Sequence, residues 1–325
     1  MHEESSPRVE FDDVIASLFP LDLSGQIVML RASIDASGRK SGVYSLAAVA
    51  FGYDRAVKAN RQWQELLNGR TFHMKDLNAR ANEFAGITDK EKDRIMRGTI
   101  GIIRENASFF ATASCDRDLL AKFLPTVSNK NPDHRKLLEA HRSIYGVMCH
   151  IGIFSMAKLA GVTSGGRPQI SYIFEAGDDG QRGLISFLNF LENTPGRESI
   201  LAGYGIRSKT VAQKGEMEGV FHSADLLAWE WAKHIDRSRA GQPMRASLRA
   251  LIGPDAEFNM DVNSPAIRDR KKFNLAHFAD DKMTTVLKSF RASLVASTPE
   301  EYERAHQSFR DDEAKWQSHS VQHPA

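Results

Sequence analysis

The sequence predicts an α/β fold in which helices flank a mixed β-sheet. An apolar, β-prone run at residues 27–38 is followed, after a short basic turn with glycines, by a second such run at 43–51. This is the pattern of a β-hairpin. Further along the chain, strand-like and helix-like segments alternate, as they do in layered α/β proteins. A hairpin placed before such units favours a mixed sheet over a purely parallel one.

Composition and charge are those of an ordinary globular protein. The 325 residues are 42% hydrophobic and 26% charged, and the net charge of +2 neither favours nor excludes a polyanionic partner. The two cysteines, Cys115 and Cys149, lack metal-ligand spacing and favour a reducing compartment. The N-terminal region is acidic, unlike a secretory signal. The most apolar segment, 144–160, falls short of the roughly 20 residues that span a bilayer. We therefore expect a cytoplasmic protein with no membrane association.

The first half of the chain contains four predicted elements after the hairpin. A helix is expected at 54–68, with Gly69 as its stop. A compact segment, TFHMKDL, follows at 71–77. Thr88 and Glu91 form a capping-box pattern that opens a helix reaching about Asn106. Residues 108–114 are expected to form a buried strand.

The second half begins with a long predicted helix at 132–160. A strand at 169–175 and a helix at 181–191 follow, residues 198–210 are ambiguous between loop and strand, and 221–237 is predicted helix with Ser223 as N-cap. Beyond Gly253 the chain is polar and weakly periodic, with helices expected at 280–294 and 299–316. The predicted organisation is a lead-in at 1–26, an α/β domain at 27–252 and a helical C-terminal extension at 253–325.

Three acidic residues recur at the ends of predicted elements. Asp35 ends the first β-prone run, Glu175 ends another, and Asp225 lies in the first turn of the 221–237 helix. Carboxylates gathered at one end of a sheet repel one another unless a cation lies between them. Mg²⁺ and Mn²⁺ prefer such oxygen ligands. The pattern predicts a site for one or two of these ions, as in two-metal phosphodiester hydrolysis.

Each acid also has a purely structural interpretation. Asp35 is equally explained as the residue that starts a hairpin turn, and Glu175 as a solvated loop residue. Asp225 is also explained as a first-turn charge that the helix dipole stabilises by up to about 1 kcal/mol. The pattern alone leaves both interpretations open.

Four short motifs add a resemblance to a known family. They are SIDASG with Asp35, TFHMKD with His73 and Asp76, YIFEAG with Glu175, and SADLLAW with Asp225. In this order they resemble the bacterial and phage family called domain of unknown function 3800, whose usual signature is D-E-S-G, F-H-x-x-D, F-E-x-G and A-D-L-L-A. The resemblance covers about residues 27–237, and its last motif is the most specific.

The resemblance implies a ribonuclease H-like fold whose first-strand Asp, later-strand Glu and last-helix Asp bind metal. Carried over position by position, these residues are Asp35, Glu175 and Asp225, with Asp76 as a candidate fourth acid. The chain departs from the family pattern at Ala36, where Glu is usual, so that one accessory acid beside Asp35 is missing.

Two histidines lie close in sequence to the candidate acids. His73 precedes Asp76 by three residues, and His222 precedes Asp225 by three. Each is a candidate proton carrier or a group that orients a metal ligand, and each is alternatively an ordinary structural histidine.

Basic residues near these motifs are candidates for phosphate contact, although each is alternatively a solvated surface residue. They are Arg39 and Lys40 beside Asp35, Arg207, Lys209 and Lys214 before the last helix of the domain, and the arginines of 237–249 after it.

The leading hypothesis is a divalent-metal-dependent phosphodiesterase, a nuclease that acts on DNA or RNA. The alternative is a catalytically silent scaffold of the same fold that binds nucleic acid or a partner protein, or that self-associates, through residues 254–325. Fold resemblance alone does not choose between the two functions, because function depends on the site. The absence of Glu at position 36 is the one sequence feature that favours the alternative.

Overall fold

The computed structural model of the chain describes residues 28–35, 42–118, 143–164, 170–175, 180–194, 204–212, 218–254, 256–259, 266–269, 272–278, 304 and 307, and of the first strand it describes the backbone. Within these ranges eight strands form one sheet. Helices cover both of its faces. The predicted α/β class, a mixed sheet flanked by helices, is confirmed.

The strands are β1 (Val28–Asp35), β2 (Val43–Gly52), β3 (Ala107–Asp116), β4 (Ile170–Glu175), β5 (Ile206–Ala212), β6 (Glu257–Asn259), β7 (Ala266–Asp269) and β8 (Phe273–Phe278). Their order in the sheet is β5-β4-β1-β2-β3-β8-β7-β6. Strand β2 is antiparallel to both β1 and β3, which confirms the predicted hairpin. Strands β4 and β5 continue the sheet in parallel beyond β1, and β8 pairs in parallel with β3.

The helices are α1 (Tyr53–Leu67), α2 (Met74–Ala79), α3 (Asp89–Asn106), α4 (Ile144–Ser164), α5 (Gln181–Asn193), α6 (Glu218–Arg239) and α7 (Ala246–Ile252). Helix α1 ends where Asn68 and Gly69 adopt left-handed backbone conformations, with φ of 50° and 80°. Helix α3 begins where Thr88 Oγ1 accepts a hydrogen bond of 3.1 Å from the Glu91 N–H. Both boundaries confirm the sequence predictions.

Two apolar cores lie on opposite faces of the sheet because successive residues of a strand point in opposite directions. On β2, Ala47 and Val49 belong to the core shared with α1, α3, α6 and α7. Their neighbours Leu46 and Ala48 belong to the core shared with α4 and α5. We call these the α6 face and the α4 face of the sheet.

Helix α4 is a core helix. Its window Ile144–Gly161 is long and apolar enough to cross a membrane by length and composition, yet 72% of that window is buried inside the protein. It packs against β2 and β3 on the α4 face. The predicted helix at 132–160 is confirmed from residue 144 onward, and 132–142 lie outside the described residues.

Helix α6 begins earlier than predicted. It starts at Glu218, so Ser223 lies inside the helix and the prediction that Ser223 is the N-cap is wrong. The physical reason is that Ser223 is completely buried on the packed side of a continuous helix, with further helical residues before it. Asp225 therefore lies about two turns inside α6, and its explanation as a first-turn charge on the helix dipole no longer applies.

The sheet continues past the predicted domain boundary near residue 252. Strand β8 pairs with β3 from Phe110 with Phe273 to Cys115 with Phe278, and β7 and β6 extend the sheet further. This part of the predicted helical extension is β-structure, because alternate residues of β8, such as Leu275, complete the core of the α6 face. The predicted lead-in at 1–26 and the helix at 280–294 lie outside the described residues. Of the helix at 299–316, only Arg304 and Gln307 are described.

Candidate functional site

Asp35 and Glu175 end two neighbouring parallel strands, β1 and β4. The last hydrogen-bonded partners along these strands are Ala32 and Phe174, so Glu175 lies one step further on, level with residue 33. Ordinary strand geometry then separates the Cα atoms of residues 35 and 175 by about 8 Å. The two acids thus share one edge of the sheet.

Strand register also assigns both positions to the α6 face. Asp35 lies directly opposite Ser45, which alternates along β2 with Ala47, a member of the core on that face. Glu175 alternates in the same way with Ile173, which belongs to the same core. Both positions therefore lie on the side of the sheet that α6 covers.

Asp225 lies on α6, which packs across β1 and β2. Its side chain is 7% exposed. The Met74 N–H, at the start of α2, donates a 3.0 Å hydrogen bond to Asp225 Oδ2. A buried carboxylate needs such partners, and this bond fixes the orientation of the carboxylate against α2.

The same hydrogen bond brings two of the sequence motifs together. His73 directly precedes α2 and Asp76 lies in its first turn. Both side chains are partly buried. The Met74–Asp225 bond joins residues 151 positions apart, so TFHMKD and SADLLAW meet in the fold although they are distant in the chain.

His222 packs in an aromatic cluster one turn before Asp225. Its ring lies 5.1 Å from that of Trp63 and 5.6 Å from that of Phe72, measured between centroids. The Trp63 contact is edge-to-face. These are the contacts of a packed core histidine, which is the second interpretation given for it above, and a part in metal binding remains a prediction.

Among the side chains that the structure describes, no group of three or more His, Cys, Asp or Glu is close enough to hold a metal ion. Glu175, Asp225, Asp76 and His73 are all among them, whereas Asp35 is described by its backbone only. The predicted three-acid metal site, which includes Asp35, therefore stays a prediction.

Most of the predicted phosphate contacts that can be placed are held by acids. Lys209 forms an ion pair with Glu192. Arg245 Nε lies 3.1 Å from Glu230 Oε2, and its guanidinium stacks on Trp229 at 4.7 Å from the ring centroid. Burial raises the pKa of the Glu230 carboxyl, and Arg245 partly opposes that rise.

Other predicted basic contacts differ in position and pairing. Arg237 donates to the Pro243 carbonyl at 3.0 Å. Arg39, Lys40 and Lys214 lie outside the described residues, and so does the side chain of Arg207.

A third strand at the same sheet edge also ends in an acid. Asp116 ends β3, which runs parallel to β1 because both are antiparallel to β2. The Arg239 guanidinium holds both of its carboxylate oxygens, at 2.7 Å and 2.8 Å. The signal that identified Asp35 and Glu175, a strand ending in a carboxylate, is present here too, but the predicted strand stops at residue 114.

Arg239 leads into a buried polar network that the sequence does not reveal. Arg239 Nη2 lies 3.0 Å from His277 Nε2, and His277 Nδ1 lies 3.1 Å from Ser114 Oγ. Because a guanidinium only donates, Nε2 accepts and the ring proton is on Nδ1. Trp231 Nε1 also donates to Ser114 Oγ, at 2.8 Å. Burial, helped by the Arg239 charge, lowers the pKa of His277 to about 4.

In comparison with known proteins, no family model matches this chain, and no curated protein matches it either. Function is therefore inferred from the residues of the site and from the motifs that they form.

Proposed function

We propose that the chain has a ribonuclease H-like fold and is a divalent-metal-dependent nuclease whose ligands are Asp35, Glu175 and Asp225. The observation that carries the proposal is the placement of Asp35 and Glu175 at the ends of adjacent parallel strands, on the face that the helix of Asp225 covers. This is the arrangement that the family resemblance implies for its first-strand Asp, later-strand Glu and last-helix Asp.

The donor set suits Mg²⁺ or Mn²⁺, which take carboxylate oxygens and keep water and phosphate oxygens in their remaining positions. One or two such ions supply an activated water and neutralise charge on the phosphodiester. The chain itself holds the ligands. Strand ends fix the backbone of Asp35 and Glu175, and the Met74 N–H orients Asp225. Asp76, in the first turn of α2, is the candidate fourth acid.

A second candidate function is a catalytically silent scaffold that binds nucleic acid or protein. Ala36 favours it, because the position beside Asp35 offers no carboxylate. A site with one acid fewer than the family pattern holds a divalent ion less tightly, since affinity follows the number of charged ligands.

The Asp225→Asn variant separates the two functions. The amide oxygen still accepts from the Met74 N–H, so the shape is kept while a ligand charge is lost. The nuclease proposal expects Mn²⁺-dependent cleavage of labelled single- or double-stranded DNA or RNA by the wild type. It expects Asp225→Asn to abolish this cleavage, with binding retained, because a ligand charge is lost while the shape is kept. Asp93→Asn, at an exposed acid on α3, is the matched control and should cleave normally.

A melting curve gives a second readout that does not depend on turnover. Mn²⁺ at 100 times its dissociation constant stabilises the folded state by about 2.7 kcal/mol, and Asp225→Asn should reduce the resulting rise in melting temperature. Binding of nucleic acid without cleavage by any variant would support the scaffold. Cleavage that persists in Asp225→Asn at the wild-type rate would exclude the proposed site.

A further inference from the structure

An open groove of about 430 Å³ lies between the C-terminal half of α3 and α7. Its lining residues are Arg104, Met244, Ala246, Arg249, Ala250, Gly253 and Pro254. Two of the seven are arginines, none is acidic, and most of the others are small.

Arg104 and Arg249 are exposed, and among the described residues neither has an ion-pair partner. The acid next to Arg104 in sequence, Glu105, is occupied by Lys58 and by Gln62. Arg97 lies seven residues before Arg104, which places it on the same side of α3 about 10 Å away. It is also exposed. Within the described part of the chain, the groove therefore has two arginines whose charge is not neutralised by an ion pair.

The groove lies at the sheet edge opposite to the candidate acids. Helix α3 ends at Asn106, immediately before β3 starts, whereas Asp116 ends β3 on the edge that Asp35 and Glu175 share. The ten residues of β3 span roughly 30 Å. Any ligand that touches both edges must be at least that long, which for a duplex at 3.4 Å per step means about nine base pairs.

We propose that this groove binds the phosphodiester backbone of a nucleic acid, as an anchoring surface remote from the acids. Its location follows from the unpaired arginines, whereas the choice of nucleic acid as the polyanion rests on the proposed function. None of the described lining residues has an aromatic side chain on which a base can stack, so the proposed contact is with phosphate and is independent of sequence.

The test compares Arg104→Gln/Arg249→Gln with a matched control, Arg55→Gln/Lys90→Gln. The control removes the same two charges at exposed positions outside the groove, where neither residue has an ion-pair partner among the described residues. Binding of labelled 30-nucleotide and 30-base-pair DNA and RNA is followed by fluorescence anisotropy in EDTA, so that no cleavage is needed. Melting temperatures establish that all variants are folded.

The groove variant should bind roughly tenfold or more weakly at 0.1 M salt. The log–log slope of its salt dependence should fall by about 1.8 for duplex DNA and by about 1.4 for single strands, because each phosphate contact contributes about 0.9 and 0.7 respectively. The control should stay within about twofold of the wild type. If the wild type cleaves, the groove variant should raise KM and leave kcat unchanged, since the lost contacts are remote from the reaction.

The inference is wrong if both double variants lose the same affinity for nucleic acid, or if the groove variant loses none. It is also wrong if the wild type binds heparin or anionic vesicles but no nucleic acid. The two proposals fail separately. If the wild type cleaves and the groove variant binds nucleic acid as tightly as the wild type, the groove proposal is wrong and the nuclease proposal stands. If only the groove variant binds nucleic acid more weakly and no protein shows metal-dependent cleavage, the groove proposal stands and the nuclease proposal is wrong.

Discussion

Two buried histidines, His234 and His277, are expected to make the stability of this fold depend on pH. Both are buried, at 1% and 2% exposed. Burial lowers the pKa of each from 6.5 to about 4, and for His277 the Arg239 charge adds to the effect. The ring nitrogens of His234 have no hydrogen-bond partner in the described part of the chain, and the ring packs 5.3 Å from Trp231. Both histidines are therefore neutral in the folded protein at neutral pH.

We expect stability to fall as the pH is lowered from about 6.5 to 4. In that window the unfolded chain binds protons that the folded chain does not, so unfolding becomes more favourable. The pKa difference corresponds to at most about 3 kcal/mol for each histidine. Glu230 acts in the opposite direction, because burial raises its carboxyl pKa. Urea unfolding at pH 7 and pH 5 measures the net effect.

His234→Leu tests the assignment to a particular residue. Leucine has no group that charges, so the loss of stability between pH 7 and pH 5 should be smaller in this variant than in the wild type. The His277→Gln variant is a comparison that removes titration but keeps a donor and an acceptor for Ser114 and Arg239. An identical pH dependence in all three proteins would show that other groups control acid stability.

At the scale of elements, the helices show where local sequence determines structure. The capping box at Thr88 and the Asn68–Gly69 end of α1 depend on neighbouring residues, and both could be predicted. The start of α6 could not, because Ser223 has the chemistry of an N-cap and its burial inside the helix is set by distant packing. The Met74–Asp225 bond is equally a product of tertiary structure.

Replacement by alanine should have opposite effects on the free energy of unfolding at two glycines that lie in or beside helices. Gly180 precedes α5 with φ of 93°, and an added Cβ would lie 2.0 Å from Ser143 Oγ. Gly180→Ala should cost about 2–4 kcal/mol, since it combines left-handed strain with overpacking. Gly101 lies inside α3 with open space where a Cβ would be. Gly101→Ala should therefore raise the free energy of unfolding by about 0.5–1 kcal/mol.

Urea titrations of the two variants, read by circular dichroism, check both signs. Equal shifts in the same direction would contradict the explanation from backbone conformation and space. Such a result would mean that glycine acts at both sites through the unfolded state alone.

At the scale of the whole molecule, the eight strands make residues 257–278 part of the main fold. Leu275 of β8 is completely buried in the core of the α6 face. Leu275→Ala should therefore cost about 2–5 kcal/mol and shift the one unfolding transition seen by tryptophan fluorescence. Leu77→Ala, at an equally buried residue of α2, is the matched comparison and should shift the same transition.

If the chain beyond 252 were a separable extension, Leu275→Ala would leave that transition in place. The sequence predicts such an extension because β6 to β8 are short, at three, four and six residues, and give little periodicity to detect. In contrast, the positions of Asp35 and Glu175 at strand ends could be predicted, because each follows a strongly apolar run. The groove could not, because Arg104 and Arg249 meet only through the packing of α3 against α7.

The position of α4 along the chain bears on how the protein is made. Its 18-residue apolar window would be an acceptable membrane segment if it stayed uncovered. The two strands that it contacts most, β2 and β3, precede it in sequence, whereas α5 and β8, which also contact it, follow it. During synthesis, part of the surface that covers α4 therefore leaves the ribosome before α4 does. In the reverse order, the nascent chain would expose an apolar helix to lipid or to a chaperone before either strand was available to cover it.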